Sequence, residues 1–195
     1  MVRLAQIFLK DKNSAKAIPV LVRLENEADF AQNKTFAQAN LMKSYYETKD
    51  YPNSVVYADK VLANPKAEEN VKSDAQIIVA RSAIQSGDET KAKTAYAKLL
   101  TVSKGELAAE ALYYDAYFKN KEGKFEPSNI AVQKLAKNYS SYRYYGAKGL
   151  VLMAKNYYGI KNSYQDTYVL DNVIENFTDY SDVVEEAKTE LNKIK

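Results

Sequence analysis

Five stretches of this sequence repeat one pattern, and this repetition limits the possible folds more than any other feature. The stretches begin at Ala5, Met42, Ala80, Asp115 and Ala154. In each of them an apolar segment is followed by a polar turn and then by a second apolar segment. Repetition at a period of about 20 to 50 residues is typical of folds in which one small unit stacks on the next.

Apolar residues in these stretches recur at spacings of three and four, as at Leu41, Tyr45 and Tyr46. This spacing indicates amphipathic helices. Strand-like alternation is scarce, and the chain contains six glycines and four prolines. The positions of the polar breaks predict about eleven helices that form antiparallel hairpins.

A small residue occupies the position in each second helix at which we expect that helix to cross the first. A bulky side chain there would force the two helices apart. The five small residues are separated by 37, 38, 36 and 39 positions, and they are Ala17, Ser54, Ala92, Ser128 and Thr167.

The predicted fold class is therefore all-α, a superhelical array (α-solenoid) of about five antiparallel helical hairpins plus a C-terminal capping helix. Residues 182–185 fit a capping box at the start of that last helix, and the turns at 120–124 and 159–163 are predicted to carry extra residues. We expect a single repeat domain, 1–195, with approximate repeats 1–30, 31–65, 66–104, 105–140 and 141–179 and the capping helix in 180–195.

The junctions resemble those of the tetratricopeptide family over essentially the whole chain. The clearest matches are Gly87-Asp88 with Ala92, Tyr96 and Leu99, and Asp50-Tyr51 with Ser54, Ala58 and Val61. The repeats are longer than that family's period of about 34 residues. The pairs Asn138-Tyr139 and Asn176-Phe177 also resemble divergent modules of bacterial (Bacteroidetes-type) envelope-associated proteins of this family.

In the family that the chain resembles, one face of the first helices lines a concave groove. The alignment places an apolar row on this face and a mostly cationic row one turn back. Rings supply contact area, and Lys or Arg orients a bound chain through charged hydrogen bonds. The resemblance therefore implies a partner that is an extended peptide or an acidic protein segment. The predicted groove residues are Lys43, Tyr46, Arg81, Ile84, Asp115, Phe118, Lys155 and Tyr158.

Two functions follow from this interpretation. The chain is expected to be a non-catalytic protein–protein interaction scaffold, or alternatively a structural or assembly module of a larger envelope protein that packs through its ends or edges. A scaffold should expose Tyr46, Phe118 and Tyr158 in the monomer. Other tyrosines are expected to bury most of their rings between helices, namely Tyr57, Tyr96, Tyr117, Tyr157 and Tyr168.

Catalytic chemistry finds little support in the sequence. Cys and His are absent, which removes the usual zinc ligands and the commonest general base. Adjacent glutamates at 68–69 and 185–186 point about 100° apart on a helix. Glu106 and Glu110 share a face, but early in a helix, where acidic residues favour the helix dipole. We expect no enzymatic activity, no cofactor and no metal.

Charge and hydropathy limit the classes of partner that the chain can have. Residues 128–161 carry six basic residues and no acidic one, whereas residues 162–195 carry eight acidic residues and three lysines. These opposite charges and the modest pI of about 8.7 argue against nucleic acid. Apolar runs such as 149–153 are far shorter than the roughly 20 residues of a membrane span, so we expect no membrane insertion.

The compartment and the oligomeric state stay open at this point. The N-terminus lacks the pattern of a signal peptide. The chain is therefore expected to be cytoplasmic if Met1 is the true start, and periplasmic or envelope-located if it is a fragment of a longer exported protein.

Overall fold

The chain is all-helical, which confirms the predicted class. The computed structural model describes residues 1–194, with the side chains of all of these except residues 163 and 164. Within this range there are eleven helices and no strand. None of these helices combines the length and the apolar composition that crossing a membrane requires. They are α1 (Val2–Lys10), α2 (Ser14–Glu27), α3 (Ala31–Glu47), α4 (Tyr51–Ala63), α5 (Glu69–Gln85), α6 (Glu89–Val102), α7 (Gly105–Lys121), α8 (Phe125–Asn138), α9 (Arg143–Gly159), α10 (Ser163–Asn176) and α11 (Ser181–Ile194).

Helices pack on their neighbours in sequence within two compact units, Met1–Ala95 and Tyr96–Lys195. In the first unit α2 packs on α1 and α3, α4 packs on α3 and α5, and α3 also contacts α5. In the second unit α8 packs on α7 and α9, α10 packs on α9 and α11, and α9 also contacts α7 and α11. The first helices of successive hairpins are therefore in contact where α3 meets α5 and where α7 meets α9.

The two helices of each hairpin carry a buried pair of residues twelve positions apart, and we assign the helix crossing to this pair. In two hairpins the second residue is a serine whose Oγ donates to the carbonyl oxygen of the first, at 2.9 Å for Ser54 and Met42 and at 2.8 Å for Ser128 and Ala116. We call the two members the first and second crossing residues. All ten are fully buried: Ala5 and Ala17, Met42 and Ser54, Ala80 and Ala92, Ala116 and Ser128, Ala154 and Asp166.

All five hairpin turns share one backbone geometry. Seven positions after each first crossing residue lies a residue with φ of 53° to 76°, the left-handed region. The next residue donates its N–H to a carbonyl five positions back, as Asn13 does to Phe8 and Asp50 does to Tyr45. These left-handed residues are Lys12, Lys49, Gly87, Gly123 and Lys161. Because the turns have equal length, the predicted extra residues at 120–124 and 159–163 are wrong.

Equal turns also correct the fifth crossing residue, which is Asp166 and not Thr167. Asp166 lies 38 positions after Ser128 and is fully buried, whereas Thr167 is half-buried. One position on a helix corresponds to a rotation of about 100°. Placing the crossing at Thr167 therefore assigned the wrong face of α10 to the core.

The tyrosine expectation is met at some positions and fails at one. Tyr57 and Tyr96 are buried, and Tyr117 and Tyr157 are half-buried. Tyr168 is 65% exposed, so its expected burial is wrong. It lies two positions after its crossing residue on the outer side of α10, as the exposed Val56 and Ile130 do on α4 and α8.

The last helix lies within the predicted range 180–195, but it begins before the predicted capping box. Ser181 is its first residue, so Asp182 lies inside the helix and is not its N-cap. Asp182 accepts a hydrogen bond from Tyr144 Oη at 2.8 Å, which connects α11 to α9.

The shared turn geometry predicts the effect of glycine at its left-handed position. We expect Lys49→Gly to raise the free energy of unfolding by about 1 kcal/mol, because a residue with a Cβ is strained at positive φ. Gly87→Ala should lower it by a similar amount, since a Cβ at Gly87 would meet no atom within 4 Å and only backbone strain remains. Urea denaturation measures both changes. An unchanged free energy of unfolding for Lys49→Gly would contradict the strain assigned to this turn position.

Asp166 is the one crossing residue whose chemistry does not suit its position. Its Oδ1 accepts from the N–H and the Oγ1 of Thr167, but its buried Oδ2 has no hydrogen-bond partner among the described residues. An ionised carboxylate cannot donate to a backbone carbonyl as Ser54 and Ser128 do.

We therefore expect Asp166→Ser to stabilise the chain by about 1 to 3 kcal/mol, the typical cost of an unpaired buried polar group. The matched control is Asp171→Ser, which changes an exposed aspartate of the same helix and should leave stability unchanged. Thermal and urea unfolding measure the difference. Destabilisation by Asp166→Ser would show that the carboxylate has a partner that stabilises it.

Candidate functional site

The shared register of the hairpins shows which candidate groove residues are equivalent. Lys43, Arg81 and Lys155 each follow a first crossing residue by one position, and Tyr46, Ile84 and Tyr158 follow it by four. In the fourth hairpin these positions are held by Tyr117 and Asn120. The predicted Asp115 and Phe118 are therefore not equivalent to the rest, because the sequence alignment assigned extra residues to a turn that has none.

Asp115 and Phe118 have other surroundings. Phe118 is only 5% exposed, so the expectation that its ring is exposed is wrong. It lies two positions after Ala116, and the equivalent Ser44 and Ser82 are buried as well. Asp115 is half-buried and forms an ion pair with Lys119 at 2.7 Å.

In the first unit, a groove of about 510 Å³ lies beside α3, at the segment that leads into α5. We call it the α3–α5 groove. Apolar surface comes from Phe36, Ala39 and Val71, and polar groups come from Asn40, Lys43, Lys66 and the acidic Glu68. The four α3 residues among them follow the spacing i, i+3, i+4 and i+7, which places them on one helix face. Lys43 is thus the predicted site residue that the structure places in a sizeable groove.

Lys43 is engaged by the neighbouring first helix. Its Nζ lies 2.6 Å from Asp74 Oδ2 of α5, and both side chains are 46% exposed. An exposed pair of this kind contributes roughly 0 to 1 kcal/mol, so it orients Lys43 more than it stabilises the fold. The half-buried Tyr46 packs edge-on against Tyr51 at a centroid distance of 5.8 Å. Arg81 and Ile84 are half-buried on α5.

In the second unit, Lys155 is held in the same way and more firmly. Its Nζ lies 2.6 Å from Glu186 and 3.3 Å from Glu190, both on α11. Burial alone lowers the pKa of Lys155, but the two glutamates outweigh this and raise it. Lys43 with Asp74 and Lys155 with Glu186 span the same 31 positions. Lys43 and Lys155 therefore bridge α3 to α5 and α9 to α11.

A small cavity of about 140 Å³ lies beside Lys155 and Tyr158. Leu170, Glu190 and Ile194 also line it. At about 30 Å³ per water molecule it holds only a few waters, which is too little for a peptide side chain with its backbone. Tyr158 itself is 56% exposed.

Two buried glutamates, which the sequence did not single out as core residues, accept hydrogen bonds from side chains of other helices. Glu25 accepts from Lys60 at 2.9 Å and from Gln38 at 3.0 Å. Burial alone raises the pKa of Glu25, but hydrogen bonds from Lys60, Gln38 and Tyr57 outweigh it and lower the pKa. In the second unit, Glu110 is 2% exposed and accepts from Tyr96 Oη at 2.7 Å and Tyr145 Oη at 2.9 Å.

Glu110 is thus part of the packing between helices. Glu106 is exposed and Glu110 is buried, so these two carboxylates do not share an accessible site. A second polar network joins the fourth and fifth hairpins: Asn156 Oδ1 accepts from Asn120 at 2.7 Å, and Asn156 Nδ2 donates to Asn129 at 2.7 Å and to Ser128 Oγ at 2.9 Å.

Comparison with models of known protein families finds no match to this chain, and comparison with curated proteins finds none either. The tetratricopeptide resemblance accordingly stays a prediction. The groove residues that sequence reasoning missed include Phe36, Ala39, Asn40, Val71, Lys66 and Glu68. The first three share a helix face with Lys43, so helical spacing alone could have found them, whereas Val71 comes from a different helix and required the packing of α3 on α5.

The raised pKa of Tyr57 predicts a loss of stability at high pH. Burial, with the charge of Glu25 and a hydrogen bond to it, raises the pKa of Tyr57 to about 12. An unfolded tyrosine titrates near 10. The folded chain therefore binds this proton more tightly, so the stabilisation is complete below about pH 10 and is lost as the pH rises towards 12.

We expect Tyr57→Phe to flatten this loss between about pH 10 and 12, because the variant has no phenol to ionise there. Urea midpoints measured across this range test it. The matched control is the exposed Tyr158→Phe, whose pH profile should follow the parent. A profile of Tyr57→Phe that also follows the parent would contradict the role given to Tyr57.

Proposed function

We propose that the chain is a non-catalytic protein–protein interaction scaffold that binds an extended peptide or protein segment. The observation that supports this proposal is the α3–α5 groove, in which an apolar surface is flanked by Asn40, Lys43, Lys66 and Glu68. Binding sites of this class combine a hydrophobic surface with a few placed polar groups. An acidic partner would have to compete with Asp74 for Lys43, and with two glutamates for Lys155.

The finer architecture that we propose is a divergent tetratricopeptide-like solenoid. It is supported by five hairpins with the same twelve-position crossing and the same left-handed turn residue. It is also supported by the contacts of successive first helices, α3 with α5, α7 with α9 and α9 with α11. Stacked hairpins of this kind present their first helices side by side, which creates an extended surface for a bound segment.

A second candidate function is a structural or assembly module that packs through an end. One observation favours it, the exposed apolar side of α1. Leu4 and Ile7 are 46% and 49% exposed, whereas the residues at the position of Leu4 in the next two hairpins, Leu41 and Val79, are 0% and 7% exposed. This side of a first helix is therefore buried in the next two hairpins.

The groove is tested by filling it. We expect Ala39→Trp to weaken binding at least about tenfold, because the indole occupies the space that a partner's anchor side chain needs. The probe is a heptapeptide selected on the parent protein from a random phage-displayed library, with its affinity measured by fluorescence polarisation.

The matched control is Ala15→Trp, which adds the same ring at an exposed position of α2. Circular dichroism should show that both variants are folded, and the control should bind like the parent. If Ala39→Trp also binds like the parent, the α3–α5 groove is not the binding site and the assembly module becomes the better interpretation.

A further inference from the structure

A second cavity, of about 450 Å³, adjoins the α3–α5 groove in the first unit. We call it the lysine pocket, because Lys34, Lys60 and Lys66 line it and no acidic residue does. It lies at the end of the second hairpin where α3 begins and α4 ends. Thr35 and Lys66 line both cavities, so the two spaces are neighbours with a shared wall.

The three lysines differ in how their charge is compensated. Lys60 is paired with the buried Glu25 at 2.9 Å and also lies over the ring of Tyr57 at 4.2 Å. Lys34 and Lys66 are exposed and form no ion pair with any described residue. The lysine pocket therefore carries about two uncompensated positive charges, unlike the predicted row, where Lys43 and Lys155 are neutralised by α5 and α11.

The wall between the two cavities is fixed by hydrogen bonds. Asn64 Oδ1 accepts from the backbone N–H of Lys66 at 2.9 Å, and Asn64 Nδ2 donates to Thr35 Oγ1 at 3.0 Å. Thr35 Oγ1 in turn donates to the carbonyl oxygen of Ala31 at 3.0 Å. The loop that carries Lys66 is thus attached to α3 before any partner binds, which reduces the ordering cost of binding there.

We propose that the first unit recognises a two-part motif in an extended acidic segment, with an apolar side chain in the α3–α5 groove and a carboxylate side chain in the lysine pocket. The inference rests on the proposed function and adds the chemistry of the partner. Charge complementarity carries it: the groove offers apolar area, and the adjoining pocket offers two unpaired cations on a fixed wall. The carboxylate binds Lys34 and Lys66, which lie outside the row that the sequence predicted.

The test is a double-mutant cycle on selected peptides. A random heptapeptide library displayed on phage is selected on the immobilised parent chain, and we expect enriched peptides with Asp or Glu at a constant distance from an apolar residue. Replacing that acid by its amide should weaken binding to the parent about tenfold, as expected for loss of a charged hydrogen-bond pair. On Lys34→Gln/Lys66→Gln the same replacement should have little effect.

The matched control, Lys10→Gln/Lys16→Gln, removes two exposed lysines of the same unit and should retain the tenfold acid dependence. Enriched peptides with an apolar consensus but no acid would overturn this inference and leave the proposed function intact. An acid dependence that survives Lys34→Gln/Lys66→Gln would also overturn it. If no consensus is enriched, or if Ala39→Trp binds the selected peptides like the parent, the proposed function itself fails.

Discussion

The crossing of two helices at a fully buried residue pair is the constraint on which the rest of this fold depends. Because the pair is always twelve positions apart and the left-handed turn residue always follows the first member by seven, each hairpin has one length and one geometry. The crossing residue then determines which face of the first helix is buried. In the second hairpin, Leu41 and Ser44, one position before and two after the crossing residue, are buried, whereas Lys43 is exposed and Tyr46 is half-buried.

Tyrosine suits a stack of this kind because each ring can fill space between hairpins while its hydroxyl reaches a carboxylate. Glu110 is bound by Tyr96 and Tyr145, Asp182 is bound by Tyr144, and Glu25 is stabilised in part by Tyr57. A buried carboxylate without such donors would destabilise the fold. Tyr96 and Tyr145 therefore satisfy Glu110, and Tyr57 assists Lys60 and Gln38 at Glu25, which explains how glutamates lie in the core.

The sequence was sufficient for the helical class, the number of helices and four of the five second crossing residues, because these depend on local spacing and on small side chains. The sequence alignment was wrong at the fourth hairpin. It selected Asp115 and Phe118, which lie two positions before the true equivalents Tyr117 and Asn120. Polar residues in the turn at 120–124 resemble an insertion, and only the backbone at Gly123 shows that none is present. It also failed at Asp166, since a carboxylate is not expected where the other hairpins have Ala or Ser. The partners of Lys43 and Lys155 could not be predicted, because each lies 31 positions away on another helix.

The distribution of these ion pairs changes where an acidic partner would bind. Successive first helices are close enough for Lys43 to reach Asp74 and for Lys155 to reach Glu186, so the face that seemed cationic in the sequence is nearly neutral. Uncompensated charge instead lies at the end of the second hairpin, where α4 ends and the loop to α5 carries Lys66. A loop residue has no carboxylate on a neighbouring helix at a fixed spacing, so its charge is left for solvent or for a partner. Lys43 and Lys155, one position after a crossing residue, therefore connect neighbouring helices, whereas Lys34, near the start of α3, and Lys66, in the loop, form no ion pair with any described residue.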